Sequence, residues 1–285
     1  MRTLSRILMC IMIIGSSYTF VNASEERQTE ERLTNELINE IIDSVISGFN
    51  NYYIFPEMAV KIEKHVRDQL KNGKYDDANT IETLLDLLYD DLLSVTNDHH
   101  IAFAAMTQDE IRRAKEDVLN EEETDDQFDP EKSAEESYQN FYFVKVERLS
   151  GNIGYLRFDR FAELEEVEDV IAQAMGFLSR TDEIIIDLRY NCGGDVQTYL
   201  ALGSYFFDKP FCLGGWYNRI TDSVTEFWTR GNVKGEKCSD KKLYILTSGE
   251  TFSAAESFAY NMKHAGRATI VGEKTTGGAH AVQFF

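Results

Sequence analysis

Beyond its first two dozen residues the chain has no apolar run fit to cross a bilayer, because charges interrupt every later stretch within about a dozen residues, short of the roughly 20 a spanning helix needs. Positive charge is scarce as well: 29 lysines and arginines face 49 aspartates and glutamates, for a formal net charge of −20. That balance repels nucleic acid and anionic lipid, so neither is expected as a partner. Cysteine is sparse. Of four, Cys10 lies in the N-terminal apolar segment and Cys192, Cys212 and Cys238 remain, an odd number for an oxidising compartment. A Cys212–Cys238 bridge is one arrangement and unpaired thiols another. The sequence has no His-Glu-x-x-His or Cys-x-x-Cys pattern, hence no metal motif, and no internal repeat. Neither a metal nor an organic cofactor is expected.

What is present begins with an export pattern. Arg2 and Arg6 precede an apolar stretch over residues 7–20, and Val21-Asn22-Ala23 stands before the polar Ser24-Glu25-Glu26-Arg27. A basic start, a short apolar core and a small-x-small site read as a secretory signal over residues 1–23. The expected mature protein starts at Ser24, is secreted or periplasmic, and has no integral membrane segment. Its length suits one large domain, or a core with a smaller subdomain.

Periodicity then divides the chain. Leu33, Leu37, Ile38, Ile41, Ile42, Val45, Ile46 and Phe49 recur at three and four, the stripe of an amphipathic helix. A second helix is expected from Pro56, with Ala59, Ile62, Val66 and Leu70 inward, and a third after Asn79, capped with Glu82. Residues 24–106 thus form a helical subdomain. Residues 107–139 are acidic, with Glu121-Glu122-Glu123-Thr124-Asp125-Asp126, and are expected as a solvated linker. From residue 140 strands and helices alternate. A hairpin is expected around Ser150-Gly151-Asn152, helices over residues 164–178, 196–207 and 253–264, strands over 184–188, 243–246 and 268–272, and a hairpin-like stretch over 216–228. This order predicts an α/β core, residues 140–285, with a mostly parallel sheet covered by helices.

Two turns in that core carry chemistry. Ser253 follows the strand-like run 243–247 and opens a helix, so its hydroxyl can act as a nucleophile beside the Ala254 N–H. Ser253-Ala254-Ala255-Glu256 is equally a capping box. Asp187-Leu188-Arg189-Tyr190-Asn191-Cys192-Gly193-Gly194 ends another strand, where ligands of open α/β sheets gather. Gly193 and Gly194 can turn N–H groups toward a reacting carbonyl, or simply make a tight turn. His100, in Asp98-His99-His100, is a possible base, or a surface histidine. Cys192 is a possible second nucleophile, or a small buried turn thiol.

The segments Asn51-Tyr52-Tyr53-Ile54-Phe55-Pro56, Asp98-His99-His100, residues 187–194, Thr251-Phe252-Ser253-Ala254-Ala255-Glu256 and residues 271–279 stand in the order found in the tail-specific, or C-terminal processing, serine peptidases. Over nearly all its mature length the chain resembles the branch that includes interphotoreceptor retinoid-binding protein and the tricorn protease core. The resemblance implies a crotonase-like ββα core with Ser253 as nucleophile and Gly193, Gly194 and Ala254 as the oxyanion hole. The bacterial type of the family places a lysine about 25 residues after the serine; Gly278 stands there, so no lysine dyad is implied. The tricorn-like type uses an upstream histidine, which His100 matches. Its glutamate lies after the Thr-Thr-Gly-Gly-Ala-His segment, in a region the sequence does not reach before Phe285, and the expectation is an incomplete core. The acidic linker is too short for the peptide-binding module that some exported relatives insert.

The function so implied is serine-type endopeptidase hydrolysis of a peptide or protein substrate through an acyl-enzyme. A non-catalytic carrier of apolar ligands on the same fold and an inactive peptidase relative are the rivals. A thioester enzyme of the crotonase type ranks last.

Overall fold

The computed structural model describes residues 10–11, 33–104 and 130–279. The expected signal, apart from Cys10–Ile11, and most of the acidic linker lie outside the described residues. Those that are described divide between two compact units, residues up to 104 in the first and residues from 130 in the second.

The first unit is helical. Helices α1 (Asn35–Tyr52), α2 (Pro56–Lys71) and α3 (Ile81–Thr96) pack through the expected stripes. Ile42, Phe49, Ile62, Val66, Leu84, Leu88 and Leu92 are fully buried in one cluster, each side chain contributing about 1.5–3 kcal/mol of hydrophobic stabilisation. Pro56 opens α2, where its missing N–H has no intrahelical acceptor in any case. The third helix starts one residue later than expected. Thr80, not Asn79, is its cap, with Oγ1 accepting from the Thr83 N–H at 3.2 Å, while Asn79 turns back to the Asp77 carbonyl. At the other end Asn97 adopts a left-handed conformation, φ 52°, and stops the helix just before Asp98. A short antiparallel pair, β1 (Cys10–Ile11) and β2 (Phe103–Ala104), completes the unit.

The second unit opens with a correction to the linker. Residues Pro130–Tyr138 form a helix, α4, and Glu136 on it is buried. Charge density hid a segment of good helix formers, Glu, Lys and Ala, behind an N-terminal proline. Strands β3 (Phe143–Leu149) and β4 (Ile153–Phe158) form the expected hairpin; α5 (Leu164–Leu178), β5 (Glu183–Asp187) and α6 (Val196–Ser204) follow. Next come the separate hairpin β6 (Cys212–Asn218) and β7 (Ser223–Trp228), then β8 (Lys242–Thr247), α7 (Ala254–His264) and β9 (Ala268–Gly272).

The main sheet has the order β3-β4-β5-β8-β9. Its first pair is antiparallel and the other three are parallel. In register Arg157 faces Asp187, Asp187 faces Leu246, and Thr247 faces Gly272. The carboxyl ends of β4, β5, β8 and β9 therefore share one edge, and both chemistry-bearing turns leave from it. Behind them Phe158, Phe161, Tyr199 and Phe258 form a chain of ring contacts with centroids 4.9–6.2 Å apart, which fixes α6 and α7 on the sheet. Cys212 and Cys238 are thiols rather than a bridge. Among the described residues no helix is long and apolar enough to cross a membrane.

Candidate active site

The β8–α7 turn places Ser253 directly before the first residue of α7, half-buried, with φ 53° and ψ −123°. A non-glycine residue seldom occupies that region, and it persists only where the surroundings over-determine it. Here they do. Glu256, one turn into α7 and buried, accepts from the Ser253 N–H at 3.0 Å, the Gly277 N–H at 2.6 Å and the Gly278 N–H at 2.8 Å. The glutamate half of the expected capping box is thus present, and it also ties in the loop after β9.

The β5 turn comes against this serine from the neighbouring strand. Asn191 is fully buried; its Nδ2 donates to the Phe158 carbonyl and its own carbonyl accepts the Phe252 N–H, both at 3.0 Å. Thr251 donates its hydroxyl to the Leu188 carbonyl at 2.8 Å, and the Ser248 hydroxyl donates to the Arg189 carbonyl. Two turns from neighbouring strands are thereby laced into one floor.

The glycines are required by space. A Cβ on Gly193 (φ 98°) would lie 2.7 Å from Ser253 Cβ and 2.9 Å from the Ala254 nitrogen, and one on Gly194 (φ 126°) would lie 2.0 Å from the Phe161 carbonyl oxygen. Of the three expected oxyanion donors, Gly193 has its N–H turned to Asn191 Oδ1 at 2.9 Å. Among the described residues no acceptor takes the Gly194 or the Ala254 N–H. Gly193 therefore serves this arrangement by close approach, and the amides of Gly194 and Ala254 are the available donors. Cys192, expected as a buried turn thiol, is exposed.

Under the floor Asp187 closes β5. It accepts from Tyr155 Oη at 2.5 Å and from the Arg189 side chain at 2.7–3.1 Å. Burial by itself raises this carboxyl, but the bonds from Arg189 and Tyr155 outweigh it and hold the group below its ordinary value. Tyr155 is pushed up to about 12, by burial first and by Asp187 second.

In the first unit the Asp98-His99-His100 segment separates its two histidines. His99 is exposed; His100 is buried, against the surface reading. His100 Nδ1 lies 3.0 Å from Asp98 Oδ1, which also accepts the His100 backbone N–H at 3.0 Å. Tyr53 donates its hydroxyl to Asp98 Oδ2 at 2.9 Å. Sequence reasoning singled out His100 and left Asp98 and Tyr53 without a role; the Asp-x-His spacing was the visible signal for the former. Among the described residues no group of histidine, cysteine, aspartate or glutamate side chains could hold a metal ion.

Residues 152–285 match the profile of Peptidase family S41, and residues 32–143 match the N-terminal domain of Peptidase_S41 in eukaryotic IRBP. A carboxyl-terminal-processing protease of Picosynechococcus sp. is 28% identical over 141 residues, covering 48% of this chain and 32% of that protein. One from Synechocystis sp. is 30% identical over 132 residues, covering 46% and 29%. The chain thus spans about a third of the length of the curated relatives it matches. Among solved structures, a candidate peptidase of Parabacteroides merdae aligns with a TM-score of 0.55 at 17% identity, over 86% of this chain and 77% of that one. That likeness bears on the fold, a mixed α/β architecture with a helical N-terminal region.

Proposed function

Because the chain belongs to peptidase family S41, we propose that it is an exported serine endopeptidase acting through an acyl-enzyme on Ser253, with His100 as the base. The observation that carries this is the Ser253 backbone, φ 53° and ψ −123°, at a strand-to-helix turn. Mere helix capping does not need that conformation; a Ser, Thr or Asn cap sits in the extended region. A nucleophile that must stand clear of the helix start does need it.

In the proposed reaction Ser253 Oγ bonds to the scissile carbonyl carbon while its proton passes to His100 Nε2. The carbonyl π electrons move onto oxygen, and the Gly194 and Ala254 amides are the donors assigned to that charge. Collapse re-forms the C=O, breaks the C–N bond and hands the His100 proton to the departing amine. Water then repeats the sequence on the ester, giving its proton to His100 and releasing the acid and the serine.

Labelling with a fluorophosphonate and hydrolysis of casein test this in the full chain. Wild type is expected to react in both assays, Ser253→Ala in neither, and His100→Ala to lose at least about 10³-fold in turnover. Equal residual hydrolysis by all three proteins would discard the mechanism. The match of residues 32–143 to a domain of IRBP favours one other reading, an apolar-ligand carrier. It predicts saturable binding of a fluorescent fatty acid with no labelling of Ser253.

A further inference from the structure

Resting on the reading of His100 as the base, we propose that Asp98, held in place by Tyr53, fixes the His100 proton on Nδ1 and so makes Nε2 the atom that accepts the proton from serine. Three donors converge on this one carboxylate. Oδ1 receives the His100 backbone N–H and faces the ring Nδ1, each at 3.0 Å, and Oδ2 receives the Tyr53 hydroxyl at 2.9 Å. An ionised carboxylate only accepts, so the ring nitrogen opposite it carries the hydrogen and the other nitrogen carries the lone pair.

The backbone contact alone is an Asx turn, a common way to leave a helix. Two further facts take the arrangement beyond a turn. The same oxygen also meets the ring, and the second oxygen is bound by a residue 45 positions earlier in the chain. The pair is dry: the side-chain exposure of His100 is 0% and that of Asp98 5%. In such surroundings a carboxylate beside the ring offsets the charge that appears on imidazole when it takes a proton.

Tyr53 has its own part. Burial, and then the charge and hydrogen bond of Asp98, push its hydroxyl far above the ordinary phenol value, so it stays a donor throughout the cycle. It lies in Asn51-Tyr52-Tyr53-Ile54-Phe55-Pro56, at the C-terminal end of α1, and anchors the Asp98 carboxylate to that helix. Asp98 is thus a positioning residue, acting on the reaction only through His100. When the serine proton reaches Nε2 the Nδ1 proton stays where it is, and Asp98 remains ionised.

The test is the tautomer of His100, read by long-range proton–nitrogen NMR on the full chain with its five histidines labelled in the ring. The His100→Gln variant assigns the signals. The neutral form in wild type is expected to carry its hydrogen on Nδ1, and a hydrogen on Nε2 overturns the proposal. Asp98→Ala removes the acceptor and should move hydrogen to Nε2, with kcat, per serine labelled by fluorophosphonate, down by about 10²–10⁴-fold and KM changed little. Asp98→Asn can still offer Oδ1 to the ring, so it should keep the wild-type tautomer while losing the charge, and fall between the two in kcat. An Asp98→Ala protein with unchanged tautomer and turnover also overturns the assignment. If that variant does not fold, Tyr53→Phe decides: kcat several-fold lower, with part of the hydrogen moved to Nε2 or its exchange at Nδ1 quickened, supports it, and a wild-type tautomer with wild-type kcat rejects it. A wild type that neither labels nor hydrolyses ends the peptidase reading, while the NMR result still decides what Asp98 does to His100.

Discussion

Ser253 owes its position to Glu256 more than to its own side chain. A backbone held at φ 53° costs about 1–3 kcal/mol, and three N–H bonds to one buried carboxylate offset that cost. Glu256→Gln puts an amide donor where an oxygen now accepts, so at least one of the three N–H groups loses its partner. The expected result is a loss of about 1–3 kcal/mol in urea unfolding and fluorophosphonate labelling of Ser253 slowed by more than tenfold. Unchanged labelling would mean the serine holds its conformation without this anchor. At this scale the sequence was legible in part. Ser-x-x-Glu marks a box wherever it occurs, but only backbone angles tell a cap from a raised nucleophile. The close approach of Gly193 to Ser253 joins residues 60 positions apart, and the link from Tyr53 to Asp98 joins residues 45 apart. No local pattern encodes either contact.

Elements were the most legible level, because apolar spacing depends only on near neighbours. The stripe over residues 33–49 became α1, the run 268–272 became β9 as expected, and Pro56 opened α2. Errors fell at boundaries and in charged segments. Asn79 and Thr80 are both competent caps, and the choice between them depends on which lies at the first helical turn; Thr80 Oγ1 meets the Thr83 N–H and Asn79 does not. Thr80→Ala should therefore cost about 1 kcal/mol and Asn79→Ala only a few tenths, compared by thermal unfolding of the full chain. The reverse order would assign the cap to Asn79. Helix α4 escaped notice because its residues are chiefly charged or polar, so propensity rather than periodicity was the only signal.

Across the whole molecule, each compact unit has its own apolar core and its own buried carboxylate knot. Asp91 joins α2, the following loop and α3 by accepting from His65 at 2.9 Å, Lys74 at 2.8 Å and Tyr75 at 2.7 Å. Asp187 does the same for β4, β5 and the Arg189 turn. For both, burial raises the carboxyl, yet bonds from Lys74, Tyr75 and His65 in one case, and from Arg189 and Tyr155 in the other, leave it below the ordinary value. A carboxyl lowered in the folded state releases its proton more readily there than in the unfolded chain. Its contribution is therefore complete above the unfolded aspartate value of about 3.9 and disappears as pH falls through the lower folded value. Stability to urea should accordingly be flat in this respect near pH 7 and decline below about pH 4. Asp91→Asn and Asp187→Asn should each be less stable than wild type at pH 7, and the deficit should shrink as the medium is made more acid. A deficit that does not shrink at all as the medium is taken well below the unfolded aspartate value of about 3.9 would mean that shape and hydrogen-bond geometry, rather than charge, hold these knots together.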